Sequence, residues 1–310
     1  MEILLSLINI ELMQSYTIFD FKIIEWFIIV NIFIFGLVFG SFGSVLIWRT
    51  RGEINKEVLK GILYGRSECP HCKKKLSWYN LIPLFSWLLS GAKCGNCKSK
   101  ISSFYPVLEI VSGFAFVISY FMVLNSGFEL FSNNFFLYMI YYLVINWLLV
   151  LLLFYDILFF RVNTYFWLFL VLWTIFWQFF GYVGNFYRSF FGGIIFFVFF
   201  MFIYIFGKYY VRFRFGIKDA EGIGGGDVMI AYFVGLFIHF MMYDLSYTNL
   251  FYYVFIYTII SSVLGILFFV VSSIINKGEQ GSSLPFLPAM IAGFWVLFFA
   301  GDYLFKILFV

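Results

Sequence analysis

The strongest constraint on the fold is a series of apolar stretches that recurs from residue 22 to the C-terminus. Each is about 20 residues long, the length at which a helix crosses the hydrocarbon core of a bilayer. Of the 310 residues, 63% are hydrophobic and 12% are charged, a composition that excludes a typical soluble domain. We therefore expect an all-α polytopic membrane protein.

The apolar stretches predict about eight transmembrane helices, with both termini outside. Residues 1–48 would form an N-terminal segment and the first helix, and residues 49–104 a small cytoplasmic loop domain. Residues 105–310 would form a membrane domain of about seven helices. The predicted spans cover about residues 22–48, 105–124, 135–158, 165–183, 190–207, 222–243, 250–275 and 286–310.

Basic residues are concentrated in the first loop. Eleven of the twenty Lys and Arg residues lie between Arg49 and Lys100, so the positive-inside rule puts this loop in the cytoplasm. Lys208, Arg212, Arg214 and Lys218 predict a second basic loop on the same side. Anionic lipid headgroups and membrane orientation explain such loops better than nucleic acid does. We therefore expect the lipid bilayer, and no nucleic acid, as a partner.

All four cysteines lie in the first loop. Cys69 and Cys72 form one Cys-x-x-Cys pair, and Cys94 and Cys97 form another after a 21-residue spacer. Two such knuckles place four thiolates in the tetrahedron that structural zinc prefers. The alternatives are disulfides, which a reducing cytoplasm disfavours, and a redox site, for which the accompanying βαβ pattern is missing. A structural zinc ion would supply much of the folding energy of so short a loop.

A second candidate site surrounds Asp227, which follows the run Gly222-Ile223-Gly224-Gly225-Gly226. An acid at the mouth of a membrane helix is costly to keep and indicates function. A helix N-cap, with the glycines as its turn, explains the run equally well. Asp156 favours the functional interpretation, because the predicted topology puts it at a similar depth near the cytoplasmic face.

Two carboxylates that meet in a low-dielectric, partly wet pocket do not readily both ionise, so they share a proton. Aspartic proteases use this arrangement: one carboxylate takes a proton from water while the other donates to the peptide carbonyl. Buried acids also serve proton-coupled transporters. The residues alone therefore leave two functions open, a membrane aspartic peptidase and an ion-coupled transporter or scaffold with a structural zinc loop.

A set of motifs, in this order, resembles the bacterial type IV prepilin peptidase family, membrane aspartic peptidases of the Gly-x-Gly-Asp kind. The first is Gly40-Ser41-Phe42 with Val45 and Arg49. The loop has the densest similarity, which extends over the four cysteines, Trp78, Leu81-Ile82-Pro83, Ser86-Trp87 and Tyr105-Pro106 with Glu109. The last two motifs are the run that ends in Asp227 and the turn Pro285-Phe286-Leu287-Pro288.

The resemblance implies that Asp156 and Asp227 are the catalytic pair and that the four cysteines bind zinc. It implies cleavage of a basic leader from type IV prepilin or pseudopilin precursors, after a glycine, on the cytoplasmic side of the bacterial inner membrane. It also implies methylation of the new N-terminus with S-adenosylmethionine, for which Glu109 is a candidate, although an interface role fits it equally. The chain departs from the family pattern at three positions, which bear on substrate range and methyl transfer: Ser44 for Asn, Asn163 for Pro and Met229 for Lys.

Overall fold

The computed structural model describes residues 2–52, 56–128, 132–180, 186–216, 224–241, 247–275 and 285–309. Eight long helices dominate these residues, and no strand occurs among them. The long helices are α1 (Glu2–Arg49), α4 (Phe104–Asn125), α5 (Asn133–Phe159), α6 (Thr164–Phe179), α7 (Phe186–Phe215), α8 (Gly225–Met241), α9 (Tyr247–Ile275) and α10 (Leu287–Phe309). Two short helices, α2 (Lys56–Tyr64) and α3 (Phe85–Leu89), lie in the first loop.

The predicted all-α membrane architecture is confirmed. Six helices have the length and apolar composition needed to cross a membrane: α1, α4, α5, α7, α9 and α10. The other two predicted spans correspond to α6 and α8, which are apolar but shorter, at 16 and 17 residues. The count of about eight is thus matched by eight long helices, of which six meet the length requirement.

The second basic loop is predicted wrongly in part. Lys208, Arg212 and Arg214 lie on the last turns of α7, which continues to Phe215 rather than ending near Gly207. Lys and Arg favour helices, so a drop in hydropathy marks the end of the apolar region and not the end of the helix. Lys218 and the predicted polar turn at 277–283 lie outside the described residues.

The helices pack around two central members, α5 and α8. Helix α5 contacts α1, α4, α6 and α10, whereas α8 contacts α6, α7 and α10. Ser132 caps the start of α5 by accepting a hydrogen bond from the Phe135 amide at 3.1 Å. Because α6 and α10 touch both central helices, they determine how the ends of α5 and α8 meet.

Candidate functional site

Asp227 lies in the first turn of α8 and is only 6% exposed. Its carboxylate Oδ2 accepts a hydrogen bond from the Gly224 amide at 3.0 Å, and its own amide donates to the Gly224 carbonyl at 3.0 Å. The bond to the Asp227 carboxylate is one half of a capping box, in which an acid in the first turn satisfies the amide of the residue that precedes the helix; Gly224 has no side chain to supply the other half. Asp227 is therefore not the N-cap residue, because it lies inside the helix.

Asp156 lies in the last turn of α5 and is 8% exposed. The helix ends three residues later, at Phe159, and is followed by Phe160, which has left-handed backbone (φ 51°) and donates its amide to the Asp156 carbonyl at 2.8 Å. The amide of Leu287, the first residue of α10, donates to the Asp156 carboxylate. Amides at a helix start carry partial positive charge and stabilise a carboxylate.

The two carboxylates interact electrostatically with each other. Gly226 packs directly against Val162 in the turn between α5 and α6, with no room for a Cβ. The Trp167 indole on α6 donates to the Met229 carbonyl at 2.8 Å. The first turn of α8 is thus held against the α5–α6 turn and the start of α6, and each acid has a backbone amide from a helix start.

Tyr257 forms a third side of this site. It is fully buried on α9, interacts electrostatically with Asp227 and donates its hydroxyl to the Met290 carbonyl of α10 at 3.1 Å. Neither Tyr257 nor the Leu287 amide was singled out by the sequence as part of the site. The only available signal for Leu287 was the Pro285–Pro288 motif, since proline is favoured at helix starts.

Asn163 caps α6 and fastens it to α1. Its side-chain oxygen accepts from the amides of Tyr165 at 3.0 Å and Phe166 at 3.3 Å. Its side-chain amide donates to Thr50 Oγ1 at 3.1 Å. Asn163 therefore caps α6 and also links its start to Thr50, the residue that directly follows α1.

The four cysteines form one cluster, with all Sγ atoms within 4.8 Å of one another and no disulfide. The Sγ atoms of Cys69 and Cys97 are 3.8 Å apart. A tetrahedron with metal–sulfur bonds of about 2.3 Å has edges of about 3.8 Å, so the cluster fits one tetrahedral metal ion. Amides of Cys72 and His71 stabilise the Cys69 thiolate and lower its pKa to about 6, which favours metal binding.

The two knuckles have the same backbone design. The Cys69 amide donates to the Lys74 carbonyl at 3.0 Å, as the Cys94 amide does to the Ser99 carbonyl at 2.9 Å. Each pair is followed by a lysine with left-handed backbone, Lys73 (φ 57°) and Lys98 (φ 58°). Each knuckle is closed by an isolated antiparallel bridge, Glu68 with Lys75 and Lys93 with Lys100.

Glu109 connects this loop to the membrane helices. It is buried in α4, and its carboxylate accepts from the Leu84 amide at 2.8 Å and from the Ser41 side chain. The structure thus gives Glu109 an interface contact between the loop and α1 and α4. Ser44 donates its hydroxyl within its own helix, to the Ser41 carbonyl at 2.7 Å.

Comparison with known proteins finds similarity in the N-terminal part of the chain. Residues 34–123 match the family model described as Bacterial Peptidase A24 N-terminal domain. This region contains all four cysteines and Glu109, and it ends before either aspartate. No solved structure matches the chain.

Three curated relatives illustrate the similarity. The "Type 4 prepilin-like proteins leader peptide-processing enzyme" of Escherichia coli is 35% identical over 107 residues, 31% of this chain and 40% of that protein. A "Prepilin leader peptidase/N-methyltransferase" of Myxococcus xanthus is 40% identical over 87 residues, 28% of this chain and 24% of that protein. One of Vibrio cholerae is 38% identical over 88 residues, 28% of this chain and 35% of that protein. The chain thus spans between 24% and 40% of the length of these relatives.

Proposed function

We propose that the chain, whose N-terminal region is similar to prepilin peptidases, is a membrane aspartic endopeptidase of the Gly-x-Gly-Asp kind. Its substrates would be type IV prepilin or pseudopilin precursors, cleaved after the glycine that ends their basic leader. One observation carries the proposal: Asp156 and Asp227 are both buried, interact with each other and lie beside two helix starts.

The chemistry follows from this arrangement. A buried pair of carboxylates shares a proton, so one is a base and the other an acid. The base takes a proton from water, the water oxygen adds to the peptide carbonyl carbon, and the acid protonates the carbonyl oxygen. Collapse of the tetrahedral diol breaks the C–N bond, and a proton transferred from the dyad leaves with the amine.

The orientation of the site is part of the proposal. The basic residues of the first loop favour a cytoplasmic position for the loop, in a bacterial inner membrane. Asp156 and Asp227 would then lie near the cytoplasmic end of the spans. A precursor whose basic leader stays in the cytoplasm while its apolar helix lies in the bilayer would present its cleavage site at this depth.

The metal in the proposal is zinc in a structural role, held by Cys69, Cys72, Cys94 and Cys97. Four thiolates are the set that structural zinc prefers, and they leave no coordination position open for a substrate. When bound, the ion would supply folding energy to the loop.

We also propose methylation of the new N-terminus with S-adenosylmethionine. The support is the printed name of the relatives, "Prepilin leader peptidase/N-methyltransferase". The described part of the loop has two isolated bridges and no strand-to-helix unit that would cradle a nucleotide-like cofactor, so no residue is assigned to this cofactor. Transfer of a labelled methyl group to a cleaved precursor would test the activity.

The peptidase proposal is tested by replacing either acid with its neutral isostere. Purified Asp156→Asn and Asp227→Asn variants, incubated with a prepilin-like precursor, should each lose at least about 1,000-fold in cleavage rate, because each removes an acid–base group. Asp302→Asn is the matched control, since Asp302 also lies on a membrane helix and accepts a hydrogen bond from Tyr253 at 3.1 Å. It should cleave at the parent rate.

Two results would contradict the proposal. Parent-level cleavage by either aspartate variant would show that the two aspartates are not the catalytic pair. Absence of cleavage by the parent protein, together with ion flux that depends on the two acids in proteoliposomes, would instead favour the transporter.

A further inference from the structure

The loop domain exposes an apolar surface that its own fold leaves uncovered. Trp78 is 77% exposed, Phe85 63%, Leu88 64% and Leu89 87%. We call these four residues the apolar ridge; they lie on a short 3-10 helix, Trp78–Leu81, and on α3. Soluble surfaces rarely group large apolar side chains in this way, and such patches indicate a membrane or a partner.

The ridge is attached to the membrane helices below their ends. Leu84, which directly precedes α3, donates its amide to the Glu109 carboxylate at 2.8 Å. Glu109 lies five residues after the first residue of α4, Phe104. At 1.5 Å per residue, the attachment point is about 7 Å along the helix from its start.

Helix α1 also contacts Glu109 well inside its own end. Ser41 hydrogen-bonds Glu109, and Gly40 packs against the Glu109 backbone. Ser41 lies eight residues before Arg49, the last residue of α1. This separation corresponds to about 12 Å along the helix axis. On both spans the loop therefore folds back alongside its flanking helices rather than standing above them.

Aromatic residues mark the level above this attachment. The Trp48 side chain hydrogen-bonds Tyr105, and its ring meets Phe104 edge-on at 6.0 Å. Trp and Tyr prefer the headgroup level of a bilayer. Leu84 is attached further along the helices than this pair, so its attachment point is deeper than the headgroup level that the pair indicates.

We propose that residues 78–89 form an interfacial membrane segment in which the apolar ridge inserts among phospholipid acyl chains. The occupant is the bilayer itself, since the two helices that hold the segment are already membrane spans. Lys93 follows the ridge and is exposed; its long side chain is suited to reach an anionic headgroup. The zinc loop would thereby be attached in three ways: by its contacts with α1, by its contacts with α4 and by insertion of the apolar ridge.

The test is lipid photolabelling of the full-length protein. The protein is reconstituted in phosphatidylethanolamine–phosphatidylglycerol vesicles with a trace of phosphatidylglycerol that carries a diazirine in its upper acyl chain. After illumination, labelled peptides are identified by mass spectrometry. The ridge should be labelled at least about fivefold more than Lys73–Lys75, as expected for burial among acyl chains. Its labelling should be comparable to that of Phe114, an exposed residue of α4.

A pair of variants separates insertion from general unfolding. Leu88→Asp combined with Leu89→Asp should lower labelling of the ridge several-fold while labelling of Phe114 stays unchanged, because charges disfavour the apolar region. Ser90→Asp, on an exposed neighbour, should leave both unchanged. Lipid labelling of the ridge no higher than at Lys73–Lys75 would overturn the proposal, as would crosslinking of the ridge to an added precursor without lipid labelling. Neither readout requires the proposed peptidase activity.

Discussion

Gly226 is the residue on which the position of Asp227 depends most directly. A Cβ there would collide with the Val162 side chain, whereas a Cβ on the adjacent Gly225 would meet nothing within 4 Å. We predict that Gly226→Ala displaces the first turn of α8 and lowers precursor cleavage by about 10-fold or more, since small displacements of a catalytic group are costly. Gly225→Ala should stay within about twofold of the parent. Initial cleavage rates of the two variants measure the difference.

Removing part of the obstacle gives the control for this prediction. Val162→Ala eliminates the nearest colliding atom, Cγ2, so the double variant with Gly226→Ala should recover part of the lost rate. Equal rates for Gly226→Ala and Gly225→Ala would show that this contact does not position Asp227.

Asn163 allows the cap to be separated from the link to α1. Asn163→Ala removes both, and should lower the free energy of unfolding by about 1 kcal/mol for the cap alone, with a further loss for the bond to Thr50. Asn163→Ser keeps a capping oxygen but is too short to replace the amide donor, so it should fall between the parent and Ala. Thermal unfolding in detergent gives the order, with Asn31→Ala as the control. Asn31 is exposed and its side chain donates a hydrogen bond within its own helix. If Asn31→Ala lowered the unfolding temperature as much as Asn163→Ala does, the prediction would be contradicted.

At the scale of helices, the sequence predicted six of the spans well because each of those apolar runs is long enough to identify a membrane helix on its own. Helix ends were harder to predict. Asn163 and Ser132 act as caps that the hydropathy pattern does not reveal. Helix α7 continues through Arg212 and Arg214, because basic residues are compatible with a helix. Hydropathy reports the boundary between lipid and water, whereas backbone hydrogen bonding determines where a helix ends.

The α7–α8 pair approaches most closely at Gly192 and Gly235, where each glycine faces the carbonyl oxygen of the other without room for a Cβ. Small residues allow membrane helices to pack at short distance. We predict that Gly192→Ala forces the pair apart and destabilises the protein by about 1–3 kcal/mol. Gly207→Ala, on the same helix with open space around it, should not. Thermal unfolding in detergent measures the difference. Equal losses of stability in the two variants would contradict the prediction.

At the scale of the whole molecule, the two sites differ in how far the sequence could predict them. The cysteine cluster was predictable because its members come in two local pairs whose spacing is typical of a metal site. The aspartates could be named, but not their surroundings. The Leu287 amide and Tyr257 interact with them from α10 and α9, and Val162 in the α5–α6 turn packs against Gly226. Such contacts between distant segments leave no local pattern.

The separate construction of the two sites predicts how the molecule responds to loss of metal. Among the residues that the structure describes, the cysteine cluster is formed by loop residues, whereas the aspartates are held by α5, α6, α8, α9 and α10. Chelation should therefore unfold the loop, because so short a segment depends on the ion for its folding free energy, and leave the spans helical. Trypsin should then cut at lysines between residues 66 and 100 many times faster, while the helical circular dichroism signal stays nearly unchanged. Added zinc should restore resistance in the parent but not in Cys72→Ser. Protease resistance that does not change on chelation, or a metal content well below one ion per chain, would contradict a structural metal in the loop.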